Sequence, residues 1–237
     1  MSAKALAAAV VLLFLALSPA HADLGARAEV FGGTCSQNAI GEGIWYQSAY
    51  PHTLDLSSGC ASVGFSVLTG TSDEWSSGWR FAYVDLGTLR FDSRFAMRDD
   101  EQHLAPDGSA CNLSTWSGCV GHGVGKQTAR GLSIGHLVER DFGSVNLGAD
   151  IGLFAYEGAF AVDIEGAGHG AHLSDLSIRW SGWQVTPYIG TMVRYGYAVA
   201  GVRWYGRVRA AEHGCGGCSG IANGPAYMTF AGLHVPF

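Results

Sequence analysis

The chain of 237 residues carries 14 basic and 20 acidic side chains, which gives a formal net charge of −6. This acidic balance argues against a nucleic-acid partner, because such partners select a basic surface. Lysine occurs only at Lys4 and Lys126. A soluble sheet protein is therefore disfavoured, since it normally carries many charged side chains on its outer face and edges.

The first 22 residues have the pattern of a secretory signal peptide. One cation, Lys4, precedes an apolar run at 5–17, and a small-x-small cleavage pattern, AHA, occupies 20–22. The run is shorter than the roughly 20 residues that span a membrane, so a retained helix is the weaker alternative. We expect cleavage after this tripeptide, one mature domain at 23–237 and, with Lys4 lost, a net charge of −7. No later apolar run reaches about 20 residues, which excludes a helical membrane protein.

Beyond the signal, apolar residues recur at a period of two, which is typical of strands rather than helices. The clearest case is VNLGADIGLFAY at 145–156, where every second residue is apolar. Segments 182–193 and 197–210 repeat the pattern. All three exceed the ~5–6 residues of an average soluble strand. They reach the roughly 9–11 residues that a tilted transmembrane strand requires.

Short polar turns and long glycine-rich links alternate between these segments, which is the pattern of an up-and-down barrel. The predicted fold is all-β: an eight-stranded antiparallel up-and-down transmembrane β-barrel. The predicted strands are 24–32, 60–69, 77–87, 130–140, 145–157, 178–193, 197–210 and 225–237. The predicted long links are 33–59, 88–129, 157–176 and 211–224. The main alternative is a soluble barrel of lipocalin type, whose apolar face would point inward.

The last predicted strand has an apolar face that continues to the final residue of the sequence. Together with the signal peptide and the alternating links, this strand resembles the small eight-stranded outer-membrane barrel proteins of bacteria, such as the OmpA membrane domain and the OmpX and OmpW types. The resemblance implies integral outer-membrane localisation, with outer-membrane lipid and the barrel-assembly machinery as partners. In that family the terminal aromatic strand is the assembly signal, which matches Tyr227, Leu233, Val235 and Phe237.

Charged residues alternate with apolar ones along several predicted strands and are expected to point into the lumen. An eight-stranded barrel is filled by its own side chains, and buried charges must be paired there. We therefore predict an ion-paired plug in preference to a proton or ion path. Its predicted members are Arg27, Glu29, Arg80, Asp85, Glu139, Asp150, Arg203 and Arg207.

Six cysteines, an even number in an exported chain, predict disulfides. Pairing neighbours in sequence keeps each bridge local to one loop or hairpin. The predicted pairs are Cys35–Cys60, Cys111–Cys119 and Cys215–Cys218. CGGC at 215–218 beside His213 leaves a metal site as an alternative, although no complete ligand set has standard spacing.

The first long link contains GIWYQSAYPHTLDL at 43–56, which is aromatic and nearly uncharged. Such a loop forms either a binding surface or an aromatic girdle at the membrane surface. The candidate binding residues are Trp45, Tyr46, Tyr50 and His52.

No catalytic residue, cofactor or metal ligand is predicted. Lipid A deacylases of similar size carry a His-x-Ser dyad on a late strand, whereas Pro236 stands where that serine would follow His234. HLSD at 172–175 is a weak match to the loop residues of outer-membrane palmitoyltransferases. The favoured function is envelope structure with surface contact through disulfide-braced extracellular loops. The alternatives are a lipid A or phospholipid-modifying enzyme and a pore for small apolar solutes.

Overall fold

The computed structural model describes residues 24–37, 52–55, 57–70, 74–96, 120–169, 172–210 and 224–237. These residues form nine β-strands. The strands are β1 (Leu24–Gln37), β2 (His52–Asp55), β3 (Ser57–Gly70), β4 (Trp75–Ala96), β5 (Val120–Asp141), β6 (Val145–His169), β7 (His172–Tyr195), β8 (Ala198–Val208) and β9 (Gly224–Pro236). Among the residues described, there is no helix that is both long and apolar enough to cross a membrane.

Eight of these strands close into a barrel in which each strand pairs antiparallel with two neighbours. The order around the barrel is β1, β3, β4, β5, β6, β7, β8 and β9, and β9 pairs again with β1. The closing seam aligns Val30 with Leu233, and the Phe237 N–H donates to the carbonyl of Ala26 at 3.1 Å. The predicted eight-stranded up-and-down fold is confirmed. The short β2 pairs with β4 alone.

Side chains alternate between a filled lumen and an apolar outer surface. Phe154 and Tyr156 of β6 are buried inside the barrel, whereas Ile151 and Leu153 point outward and are 62% and 52% exposed. This is the reverse of the lipocalin-type alternative, in which the large aliphatic side chains would line the interior.

Four adjacent strands are much longer than the other four. β4 to β7 have 22 to 25 residues, whereas β1, β3, β8 and β9 have 11 to 14. The long strands continue past the barrel at the end opposite the short turns and form a sheet, here called the extension. With β2 on its edge, the extension comprises residues 52–55, 88–96, 120–129, 157–169 and 172–187.

The extension corrects two of the predicted links. Much of 88–129 and 157–176 was predicted as loop but is paired strand. The sequence predicts loops there because these stretches are long, glycine-rich and polar, although inward side chains of the extension such as Leu89, Gln127 and Phe160 are buried. The predicted strand 24–32 was also too short, since β1 runs through Gly32 and Gly33 to Gln37.

Pro187 marks the point where β7 and β8 separate. Their pairing ends at Tyr188 opposite Tyr205, and the next residue of β8, Gly206, lies at an irregularity in the β8–β9 register. Proline has no N–H for the ladder. The part of β7 that precedes Tyr188 pairs with β6 and with no other described strand. Pro187 therefore marks the position at which β7 leaves the barrel and enters the extension.

The closed hydrogen-bonded barrel predicts heat-modifiable migration. Every barrel strand is paired on both sides, so mild detergent has no open edge from which to unravel the fold. We expect the unheated protein to migrate differently from the boiled protein in detergent electrophoresis. Identical migration before and after boiling would contradict a closed barrel.

Candidate functional site

The lumen contains two ion-pair clusters at different heights. In the upper cluster, Arg80 of β4 donates from Nε to Glu29 at 2.5 Å and from Nη1 to Asp150 Oδ2 at 2.9 Å. Arg203 of β8 donates from Nη2 to the same Asp150 oxygen at 2.8 Å. Ser66 donates to the other oxygen of Glu29 at 3.0 Å. Two cations and two anions, all nearly fully buried, therefore join four strands across the lumen.

The lower cluster is centred on Glu139 of β5, nearer the short turns. One oxygen of Glu139 accepts from Arg27 at 2.5 Å and from Arg194 at 3.0 Å. Arg194 Nη1 also lies 3.1 Å from His234 Nε2. Two arginines and one carboxylate leave this cluster with an excess positive charge when His234 is neutral.

Arg194 and His234 were missed from the sequence, although both continue the lumen alternation of their strands. Residues 194–196 have the pattern of a turn, which hides the inward position of Arg194. In the sequence, His234 is notable only as the start of a His-x-Ser pattern that Pro236 breaks.

Two predicted members of the plug are corrected. Asp85 lies on the outward side of β4, and its carboxylate accepts the Gly87 N–H at 2.8 Å where the β4–β5 register shifts. Arg207 follows the irregularity at Gly206 and is exposed. Asp85 shares the outward face of Trp79 and Tyr83 on the regular part of β4, so it does not share the lumen with Arg80. In β8 the extra residue at Gly206 inverts the alternation and turns Arg207 outward.

Aromatic rings fill the lumen around and above the upper cluster. The Arg203 guanidinium lies 5.2 Å from the ring centres of both Tyr188 and Phe230. The Arg80 guanidinium lies 4.8 Å from the ring of Phe31. Phe154 packs against Tyr205 with ring centres 5.3 Å apart. Cation–π attraction in these contacts supplements the ion pairs of the two buried guanidinium groups.

The rim above the barrel holds the disulfide Cys35–Cys60, which joins β1 to β3 with a Cα–Cα distance of 5.7 Å. The other predicted pairs, Cys111–Cys119 and Cys215–Cys218, lie outside the described residues. Trp45, Tyr46 and Tyr50 also lie outside them. His52 opens β2, and its backbone is paired with Ser93. Within the described ranges, no group of three or more His, Cys, Asp or Glu side chains is placed to hold a metal ion.

The predicted assembly residues lie on the outer side of the closing strand. Tyr227, Leu233 and Val235 are 43–57% exposed. Phe237 is partly exposed and held to β1 through its backbone.

The outer face of the extension contains a cleft of about 540 Å³, here called the outer cleft. It was not predicted, because six of its seven lining residues fall in the links 88–129 and 157–176, which the sequence predicts as loop. Three cations and one carboxylate surround a floor of small residues. The lining is Arg90, Val124, Gly125, Lys126, Ala161, Asp163 and Arg179.

Among the side chains that the structure describes, Asp163 is the one acidic member of that lining. It accepts from Ser177 at 2.6 Å and from Arg179 at 2.8 Å. The Ser177 hydrogen bond, followed by the nearby Arg179 charge, lowers the pKa of Asp163 below its usual value. The carboxylate therefore stays ionised in mildly acidic solution and keeps Arg179 partly neutralised.

The upper cluster predicts a large cost for removing its shared carboxylate. Asp150→Asn leaves the Arg80 and Arg203 charges buried with one carboxylate, Glu29, between them. We expect the free energy of unfolding to fall by about 3–5 kcal/mol, as for other broken buried pairs. The control is Glu74→Gln, which breaks an exposed pair with Arg140 and should cost about 0–1 kcal/mol.

Urea unfolding in detergent, followed by tryptophan fluorescence, measures both variants. Equal losses for the two would contradict the cross-bracing role of Asp150.

No protein family and no curated protein matches the chain. Among solved structures, the chain is similar to Ail, the attachment invasion locus protein of Yersinia pestis, in complex with the heparin analogue sucrose octasulfate. The sequence identity is 11% and the TM-score is 0.42. The match covers 89% of this chain and 99% of Ail. A second structure of the same protein matches at 10% identity and TM-score 0.35, covering 90% and 98%. The architecture of the chain is a closed eight-stranded antiparallel up-and-down β-barrel.

Proposed function

We propose that the mature chain, 23–237, is an integral outer-membrane protein with a structural and surface-contact role, exported by the signal peptide at 1–22. The main observation is a continuous belt of uncharged, outward-pointing side chains around the barrel. On β6 this belt extends from Leu147 to Ala155. At about 3.3 Å per residue and a tilt of ~40°, this stretch rises roughly 20 Å, close to the ~25 Å apolar band of outer-membrane barrels.

Both borders of the belt have the residues expected at a membrane interface. At the short turns, Trp75, Phe142, Tyr195 and Tyr197 are exposed aromatics, like the girdles of outer-membrane barrels. Between the borders, the outward positions of the described strands hold no Asp, Glu, Lys or Arg. His136 is polar there, and its ring packs edge-on against Trp79 at 5.5 Å.

The other border is a row of outward charges. Asp85, Arg130 and Glu157 are in register across β4, β5 and β6, and Arg130 lies 4.0 Å from Glu157. Trp183 continues the row on β7 and is 70% exposed. Charge of this kind belongs at the headgroup level, since it is costly at the bilayer midplane.

Topology supports an extracellular extension. An even number of barrel strands returns the C-terminus to the rim where the first strand begins, which is the rim of the short turns. In outer-membrane barrels the short turns are periplasmic and the long connections extracellular. The extension and the link 38–51 are then presented outside the cell, where they are placed to contact other surfaces.

Within this extracellular part, we assign the contact surface to Trp45, Tyr46, Tyr50 and His52. The disulfide Cys35–Cys60 ties together the two barrel strands that flank this link, which reduces the chain entropy lost on binding. Aromatic side chains supply rigid apolar area with polar edges. The packed lumen supports this role over a solute pore, because charged and aromatic side chains fill the cross-section.

A matched pair of substitutions tests the membrane belt. Ile151 and Val124 are both outward aliphatic side chains at 62% and 50% exposure, but Ile151 lies in the belt and Val124 in the extension. Ile151→Arg should lower the free energy of unfolding in lipid vesicles by about 2–4 kcal/mol. Val124→Arg should change it by less than about 0.5 kcal/mol. Equal effects in a vesicle-based urea titration would contradict the belt.

A second pair of substitutions tests the contact surface. The double variant Trp45→Ala/Tyr46→Ala should retain the heat-dependent shift and lose most adhesion of protein-bearing cells to host-cell or matrix surfaces. The control is Trp79→Ala, which removes an aromatic from the belt and should leave adhesion unchanged once surface amounts are matched. Loss of folding in the double variant would show instead that these residues pack into the barrel.

A further inference from the structure

His234 lies where the lower cluster meets the strand that closes the barrel. It is nearly fully buried, and its partner in register across the β1–β9 seam is Glu29. Its backbone N–H donates at 2.9 Å to the carbonyl of Tyr197, in the short turn between β7 and β8. The imidazole is therefore in the lumen near the rim of the short turns, beside the seam that closes the barrel.

The contact between Arg194 and His234 determines how the imidazole is protonated. Arg194 Nη1 lies 3.1 Å from His234 Nε2. A guanidinium has only N–H donors and stays charged, so Nε2 must be the acceptor of this hydrogen bond. The ring proton is then on Nδ1, which has no hydrogen-bond partner among the described residues. The hydrogen bond exists only while His234 is neutral.

Two cations oppose a positive charge on this ring. A protonated imidazole donates from both nitrogens, so it would lose the hydrogen bond and meet the like charge of Arg194 at close range. Arg27 of β1 adds a second cation, because it shares the Glu139 carboxylate with Arg194. Burial acts in the same direction, since a charge taken out of water is costly unless it is paired.

The side-chain carboxylates near the ring are already bound to other donors. Glu139 accepts from two arginines, and Glu29 is paired with Arg80. Asp141, the last residue of β5, is exposed and accepts the N–H of Gly143. The titratable and charged groups around His234 are Arg27 and Glu29 of β1, Glu139 and Asp141 of β5, Arg194 of β7, Tyr197 before β8 and the terminal carboxylate of Phe237 after β9.

We propose that His234 is an acid-sensitive brace of the barrel. At neutral pH it ties β9 to Arg194 of β7 across β8, which lies between them. In mild acid the imidazole takes up a proton, the hydrogen bond to Arg194 is lost, and a third cation stands around Glu139. The brace is complete above the ordinary histidine value of about pH 6.5 and is lost as the pH falls below it.

The brace acts on one end of the lumen. The described upper cluster is held by arginine and carboxylate side chains and contains no histidine, so it stays paired in mild acid. The lower cluster loosens first, next to the seam between β1 and β9. This regulation depends on the lumen alone and is therefore independent of the surface-contact role.

The test compares urea unfolding of the folded mature protein in detergent at neutral and acidic pH. Between about pH 7.5 and about pH 5, the folding equilibrium constant of the wild type should fall by up to about thirtyfold more than that of His234→Gln. That factor is the limit for one histidine of ordinary value ~6.5 that must stay neutral in the fold. The glutamine oxygen can accept from Arg194 at either pH and does not titrate in this range.

The matched control is His136→Gln, which removes a histidine from the outer face of β5, where its ring packs against Trp79. This variant should keep the acid loss of the wild type. Equal acid resistance in both variants would overturn the proposal, because the effect would then follow histidine content in general. An unchanged acid loss in His234→Gln would overturn it as well.

NMR of isotope-labelled histidine follows the ring in the unaltered protein and needs no variant to fold. At neutral pH the imidazole of His234 should be the Nδ1–H tautomer, as the acceptor role of Nε2 requires. An Nε2–H tautomer, or an imidazolium already present at neutral pH, would rule out the brace.

Discussion

The fold depends on the pairing of β1 with β9. Closure leaves no strand edge with unsatisfied N–H and C=O groups. Here the meeting strands are the first and the last of the described strands, and the Phe237 N–H still contributes a backbone hydrogen bond to β1. The pairing of every other barrel strand on both sides depends on this seam.

Closure creates a narrow interior that the chain fills with paired charge. Asp150 accepts from arginines on two different strands, and Glu139 does the same nearer the short turns. Each carboxylate thus ties separate parts of the wall through side chains, in addition to the backbone ladder. Buried ion pairs are weak evidence of net stability, because desolvation offsets the attraction. Their directional hydrogen bonds nevertheless favour one register of the strands over slipped alternatives.

The sequence was most informative where one strand face lies on the apolar outer surface and the other faces the lumen. The alternation in 145–156 predicted both the strand and its inward Asp150. The same reasoning failed at Arg207, where the bulge at Gly206 inverts the alternation, since a bulge leaves little trace in composition. It failed at Asp85 because the alternation in 77–87 does not show which face meets the lumen. It also failed in the extension, whose strands are glycine-rich and polar in sequence. The outer cleft depends on the register of strands far apart in sequence, which no local pattern specifies.

In the outer-membrane setting that we propose, the uneven strand lengths have a consequence for how the protein meets its neighbours in the bilayer. A barrel with level rims presents nearly the same profile from every direction in the membrane plane. Here β4 to β7 rise well above β8, β9, β1 and β3, so the described part of the molecule has a tall flank and a low flank. Molecules diffusing in the leaflet meet a wall on one side and a low rim on the other. Which flank a neighbouring molecule contacts therefore depends on the direction from which it approaches. Rotation of the barrel about the membrane normal decides whether the flank that binds a partner faces it.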